Sequence, residues 1–139
     1  MIHEEICTYE VCKLAKEKGF PQDECGVNIG YYAWDGLRKI HSLVNSFAWY
    51  DEYNHDDLFL APTQSLLQRW LREKKGIQIY IDSDLDFDDE TFVYEWQIAN
   101  KENFDNGGFE IHRYNSVESH STYELALEDA LKYALEKLV

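Results

Sequence analysis

The sequence has no long apolar run, few cysteines and few cations, and each shortage removes a class of protein. The longest apolar stretches fall far short of the ~20 residues of a membrane-spanning helix, so no membrane partner is expected. The start, Met1-Ile2-His3-Glu4-Glu5, is acidic and lacks the basic-then-apolar pattern of an export signal, which points to a cytoplasmic protein. Cys7, Cys12 and Cys25 are odd in number and have no paired spacing, which argues against a disulfide framework. Lysine and arginine total 13 against 27 aspartates and glutamates, a net charge of -14 that repels phosphate backbones. Nucleic-acid affinity rests on cationic contacts, so direct nucleic-acid binding is not expected.

Catalytic and cofactor signatures are missing as well. Gly26 and Gly30 stand outside any GxGxxG or GxxxxGK[ST] context, and no serine sits in a GxSxG elbow. His3, His41, His55, His112 and His120 are scattered, without HxxxH or HExxH spacing, and His55-Asp56-Asp57 reads as an exposed polar loop. No catalytic residue, metal ligand or cofactor is assigned, and a non-enzymatic protein is expected.

What is present suits one domain spanning residues 1–139. Hydrophobic residues make up 45% of the chain, enough for a core without disulfide or metal support. Three segments carry helical periodicity. The first runs from about Tyr9 to Lys18, with Thr8 as N-cap and Gly19 as its stop. The second follows Ala61-Pro62-Thr63, places Leu66, Leu67, Trp70 and Leu71 on one face, and ends at Gly76. The third, about Thr122 to Leu138, opens on the capping box Ser121-Thr122-Tyr123-Glu124. Its stripe is Tyr123, Ala126, Leu127, Ala130, Leu131, Ala134, Leu135 and Leu138.

Period-two alternation marks the strands. Ile77, Ile79 and Ile81 alternate with Gln78 and Tyr80. Phe92, Tyr94, Trp96 and Ile98 alternate with Val93, Glu95 and Gln97. Phe109 and Ile111 alternate with Glu110 and His112, after the turn signal Asn106-Gly107-Gly108. Earlier, Tyr31–Trp34 and Leu37–Ile40 flank Asp35-Gly36, a two-residue hairpin signal. Residues 45–60 are rich in aromatics and acids and carry no assignable period; the run Phe47-Ala48-Trp49-Tyr50 within them is expected to pack across the sheet edge. The fold class is α+β: an antiparallel sheet, hairpin plus three-strand meander, with helices packed on one face and the order α-β-β-α-β-β-β-α.

Two charged runs invite chemistry. Asp82-Ser83-Asp84-Leu85-Asp86-Phe87-Asp88-Asp89-Glu90 begins like a calcium loop, but Phe87 stands where the sixth-position glycine belongs and Val93 where the bidentate glutamate belongs. An acidic hairpin loop (82–90) is the simpler reading. Arg69, Arg72, Lys74 and Lys75 end the second helix, where cations complement its negative terminus. Cys12 falls on the first helix's apolar stripe and reads as a small core residue.

The α-β-β-β-α order from Thr63 onward resembles that of double-stranded-RNA-binding domains. That family carries lysines at the start of its last helix, where this chain has Ser121-Thr122-Tyr123-Glu124-Leu125-Ala126-Leu127-Glu128-Asp129, so RNA binding is rejected. The segments Cys12–Phe20, Ala61–Glu73 and Thr122–Leu127 resemble a family of small uncharacterised proteins encoded in gut-bacterial genomes and their prophages. The resemblance implies an accessory protein of mobile DNA, and it brings no activity, cofactor or catalytic residue. The expected function is a protein-interaction module that binds through the less apolar sheet face, with Gln78, Tyr80, Glu95, Gln97, Glu110 and His112 as its residues. Two alternatives accompany it. One is an acidic nucleic-acid mimic that inhibits a host DNA-binding protein; the other is a Ca²⁺-dependent module using Asp82, Asp84, Asp86 and Asp88.

Overall fold

The computed structural model describes residues 5–22, 30–34, 41–44 and 58–139, the backbone alone for 30–34, 41–44 and 58–59. Asp35-Gly36, Leu37–Ile40, residues 45–57 and Cys25 lie outside the described residues. The protein is α+β, and its residues fall into two compact units, Met1–Thr63 and Gln64–Val139.

In the first unit, helix α1 spans Tyr9–Glu17. Thr8 adopts extended backbone and its hydroxyl accepts from the Val11 N–H, which satisfies one of the free donors of the first turn. Gly19, at φ 95°, supplies the left-handed turn that ends the helix. Val11, Cys12 and Ala15 are buried, so Cys12 is the core residue that the stripe predicts. The unit's sheet is antiparallel in the order β2-β1-β3, from β1 (Gly30–Trp34), β2 (His41–Val44) and β3 (Leu58–Ala61). Trp34 pairs with His41 at the last described step of the β1–β2 ladder. Strand β3 is absent from the predicted order, because Leu58-Phe59-Leu60 is a short continuous apolar run with no alternation. The Gln22 carboxamide accepts from the Leu60 N–H at 2.8 Å, tying the segment after α1 to β3.

The second unit is a meander under two helices. Helix α2 (Gln64–Lys75) buries Leu67 and Leu71 and ends at Gly76, φ 67°. Strands β4 (Ile77–Asp86), β5 (Thr91–Asn103) and β6 (Phe109–Asn115) pair antiparallel in the order β4-β5-β6. Helix α3 (Tyr123–Tyr133) continues as a π-helical turn, Ala134–Leu138. Its buried stripe is Ala126, Leu127, Ala130, Leu131, Ala134 and Leu135, as the periodicity predicts, while Tyr123 and Leu138 at the two ends of that stripe are not buried. The cap sits one residue later than the capping box places it. Thr122, not Ser121, accepts from the Leu125 N–H at 3.1 Å, so Glu124 falls at the second helical position and cannot close the box. Gln64, buried, links the two helices by donating to the Glu124 carbonyl and the Glu128 carboxylate, each at 2.9 Å.

Both helices lie on one face of this meander, over Ile77 and Ile79 of β4 and Trp96 and Ile98 of β5. The register aligns Ile79 with Ile98 and Ile81 with Trp96 across the pair. The ring of Tyr133 in α3 packs, tilted, against both Trp96 (5.0 Å between centroids) and Tyr114 of β6 (5.6 Å). Among the described residues, no helix is long and apolar enough to cross a membrane.

Candidate functional site

The meander's second face carries no helix of its unit. Across it, the register sets side chains in rows: Asp84 beside Val93, Asp82 beside Glu95, Tyr80 beside Gln97 and Asn115, Gln78 beside Ala99 and Arg113, Lys101 beside Ile111, and Asn103 beside Phe109. The face runs from carboxylates at the hairpin tip, through amides and Tyr80, to two cations and two apolar side chains at the other end. Tyr80 is 47% exposed, Ile111 46% and Phe109 58%, with the Lys101 ammonium 4.8 Å above the Phe109 ring. The Gln97 carboxamide donates to Asp82 at 2.7 Å, which fixes both side chains in the middle of the acidic half.

Four of the six residues expected on this face are there: Gln78, Tyr80, Glu95 and Gln97. Glu110 and His112 are not. Strand β6 is turned over relative to the alternation argument, so Phe109 and Ile111 face outward on the bare side and Glu110 and His112 share the side of the helices. Tyr114 decides this. It pairs with Ile98 and packs on Tyr133, and a strand with one inward anchor has the parity of every other residue fixed. The far end of β6 extends past the helices, which is why Glu110 is exposed although it points to the covered side.

There Glu110 and His112 meet Glu102 of β5, which the sequence reading did not single out. His112 Nε2 lies 3.0 Å from Glu102 Oε2 and 3.7 Å from Glu110 Oε2. Among the described residues this is the one group of three or more ligand atoms gathered within 4.8 Å of one another. The signal was a cross-strand pairing, Glu102 opposite Glu110, and such pairings become visible only once register is known.

The acidic run is mostly strand rather than loop. Asp82, Asp84 and Asp86 lie within β4, and the turn is confined to residues 87–90. Alternate strand residues stand about 6.8 Å apart, so these carboxylates do not converge on an ion. They serve the hairpin instead. Asp86 Oδ1 accepts from the Asp88 N–H at 3.0 Å, an Asx turn, and Glu90 closes the turn in the left-handed region at φ 55°. Two of the cations late in α2 are likewise engaged locally: Arg69 pairs with Glu73 at 2.9 Å, and Lys75 sits over the Trp70 ring. The Arg69 hydrogen bond, the main cause, and the charges of Arg69, Arg72 and Lys74 hold the Glu73 carboxyl below the usual glutamate range, against a smaller desolvation penalty.

A third polar group lies at the edge of the covered face. Trp96 Nε1 donates to Asp129 Oδ2 at 2.8 Å, and His120 Nε2 stands 3.3 Å from the same oxygen. The backbone of His120 bonds in both directions with Tyr94, extending the sheet beyond β6, while its Nδ1 is buried without a hydrogen-bond partner. Asp129 thereby joins α3 to the sheet and to the segment that leads into the helix.

Compared with protein-family models, curated proteins and solved structures, the chain matches none of them.

Proposed function

We propose that the protein is a non-enzymatic interaction module that binds a protein partner through the bare face of the β4–β5–β6 meander. The observation that carries this reading is the exposure of Tyr80, Ile111 and Phe109 on a sheet face whose opposite side holds both helices of the unit. Exposed aromatic and apolar side chains among polar neighbours are the usual composition of an interface centre. Gln78, Glu95, Gln97, Lys101 and Arg113 supply the polar surround and a charge gradient that fixes the partner's orientation. The resemblance to prophage-borne proteins adds the setting: an accessory of mobile DNA acting in the cytoplasm.

Capture from a native lysate, with Tyr80→Ala/Ile111→Ala beside the parent chain, tests this. Loss of a stoichiometric partner with an unchanged melting curve is the expected result. Capture that survives the double substitution removes this face from consideration.

One observation favours the nucleic-acid mimic as a second reading. Asp82, Asp84 and Asp86 form a row of regularly spaced charges along one side of β4, with Glu95 beside them. That reading predicts a basic partner released at high salt and displaced by DNA. A partner retained at high salt and indifferent to DNA rejects it.

A further inference from the structure

We infer that Glu102, Glu110 and His112 form a binding site for a divalent transition-metal cation. The site is separate from the proposed partner-binding face, since the three side chains project from the other side of the sheet, beyond the end of the helices.

The first argument is geometric. Two ligand atoms held about 2.1 Å from one ion are about 3.0 Å apart at a right angle and about 3.4 Å apart at the tetrahedral angle. His112 Nε2 stands 3.0 Å from one carboxylate oxygen and 3.7 Å from another, and all three ligand atoms lie within 4.8 Å of one another. Small side-chain adjustments at an exposed site bring them onto a shared ion, and water completes the coordination.

The second argument is electrostatic. Glu102 and Glu110 are direct cross-strand neighbours, and like charges in that arrangement are destabilising. A strand pair that keeps two carboxylates opposite one another, with an imidazole reaching both, gains from any cation placed between them. Lys101 and Arg113, the nearest cations in sequence, stand on the opposite face of the sheet and cannot serve.

The donor set then selects the ion. One imidazole nitrogen with two carboxylates suits Zn²⁺, Ni²⁺ or Co²⁺, whereas Ca²⁺ and Mg²⁺ take oxygen donors throughout. Three protein ligands on two strands joined by a short turn present one open side to solvent, so the ion is exchangeable rather than buried. The two strands are held in register by their own ladder and do not need the ion to fold.

The test is calorimetric titration of the chelator-treated full chain with ZnCl₂ and separately with NiCl₂, with CaCl₂ as the control. One site for Zn²⁺ and Ni²⁺ is expected, with none for Ca²⁺ over the same range. Losing even a group that only orients a metal ligand lowers affinity about 10–100-fold, so His112→Ala is expected to weaken binding at least about tenfold. Glu102→Gln and Glu110→Gln, which keep side-chain shape, should each weaken it as well. Thiols also bind Zn²⁺, so binding unaffected by His112→Ala overturns the proposal, as does the absence of Zn²⁺ and Ni²⁺ binding in the parent chain. If a variant melts lower than the parent, amide NMR of the parent with Co²⁺ decides: broadening must centre on Glu102, Glu110 and His112, and broadening centred elsewhere rejects the site.

Discussion

The two faces of the β4–β5–β6 meander are drawn from the same three strands but have opposite fates. On the covered side, Ile77, Ile79, Trp96 and Ile98 meet Leu67 and Leu71 of α2 and the alanine-leucine stripe of α3. On the bare side, Tyr80, Ile111 and Phe109 are also large aromatic or aliphatic side chains but stay in contact with solvent. The difference therefore lies less in the hydrophobicity of single residues than in which side received the helices. Burial stabilises a side chain by about 1.5–3 kcal/mol when it is complete. The bare-face residues, about half exposed, forgo roughly half of that in the isolated protein, and a partner would supply it.

The sharpest way to break this comparison is to truncate one residue on each side. Leu131→Ala, at a fully buried position, should cost about 2–5 kcal/mol in urea denaturation. Ile111→Ala should stay within about 0.5 kcal/mol. Equal losses would mean that the bare face is structural and not a free surface.

A smaller effect is expected at the polar seam of the covered side. Asp129→Ala removes the acceptor of Trp96 Nε1, whose side chain is otherwise buried, and should destabilise by about 1–3 kcal/mol. Asp129→Asn keeps an acceptor oxygen and should recover part of that loss. Should both variants unfold at the same urea concentration, the hydrogen bond contributes nothing and packing alone holds α3 to the sheet.

The helix that makes the covered face depends on its cap. Thr122→Ala should cost about 1 kcal/mol, while Ser121→Ala should fall within about 0.5 kcal/mol. The reverse ranking would restore Ser121 as the cap.

The smallest effect belongs to the solvent side of α2. The folded-state pKa of Glu73 is depressed, so its contribution is present above the unfolded glutamate value and is lost as pH falls through the folded one. Carbon-detected NMR titration should show Glu73 protonating at lower pH than an ordinary glutamate, and Arg69→Gln should move it back up. A Glu73 titration unchanged by Arg69→Gln would remove the pair as its cause.

Much of this arrangement was legible beforehand. Thr8, Gly19 and Gly76 mark helix ends by local chemistry, and the stripes of α1 and α3 follow from a 3.6-residue period that needs no partner to be read. Alternation in β4 and through Trp96 and Ile98 likewise assigned the inner side. Reading failed where side-chain character and position disagreed. Phe92, though it points inward, is exposed because the β4–β5 hairpin extends beyond the helices, and Leu85 pairs with it there. Strand β3 has no alternation to betray it. Acids dominate 82–90 and suggest a loop, although backbone pairing continues through Asp86.

The candidate sites divide in the same way. Gln78, Tyr80, Glu95 and Gln97 could be placed together because each belongs to a strand whose parity is fixed by its own isoleucines or by Trp96. Glu110 and His112 could not, because in β6 the more apolar pair does not face the helices.

By itself, then, the sequence determined the elements: helices with their stripes and glycine stops, the strands of the meander, and an acidic surface. Those features are local, set by period, propensity and charge within a few neighbouring residues. Only the tertiary structure decided the parity of β6, the reach of the hairpin past the helices, and the meeting of Glu102 with Glu110 and His112. The physical reason is that a strand's register is fixed by its best-packed contact, here Tyr114 between Ile98 and Tyr133, and that contact joins residues far apart in the chain.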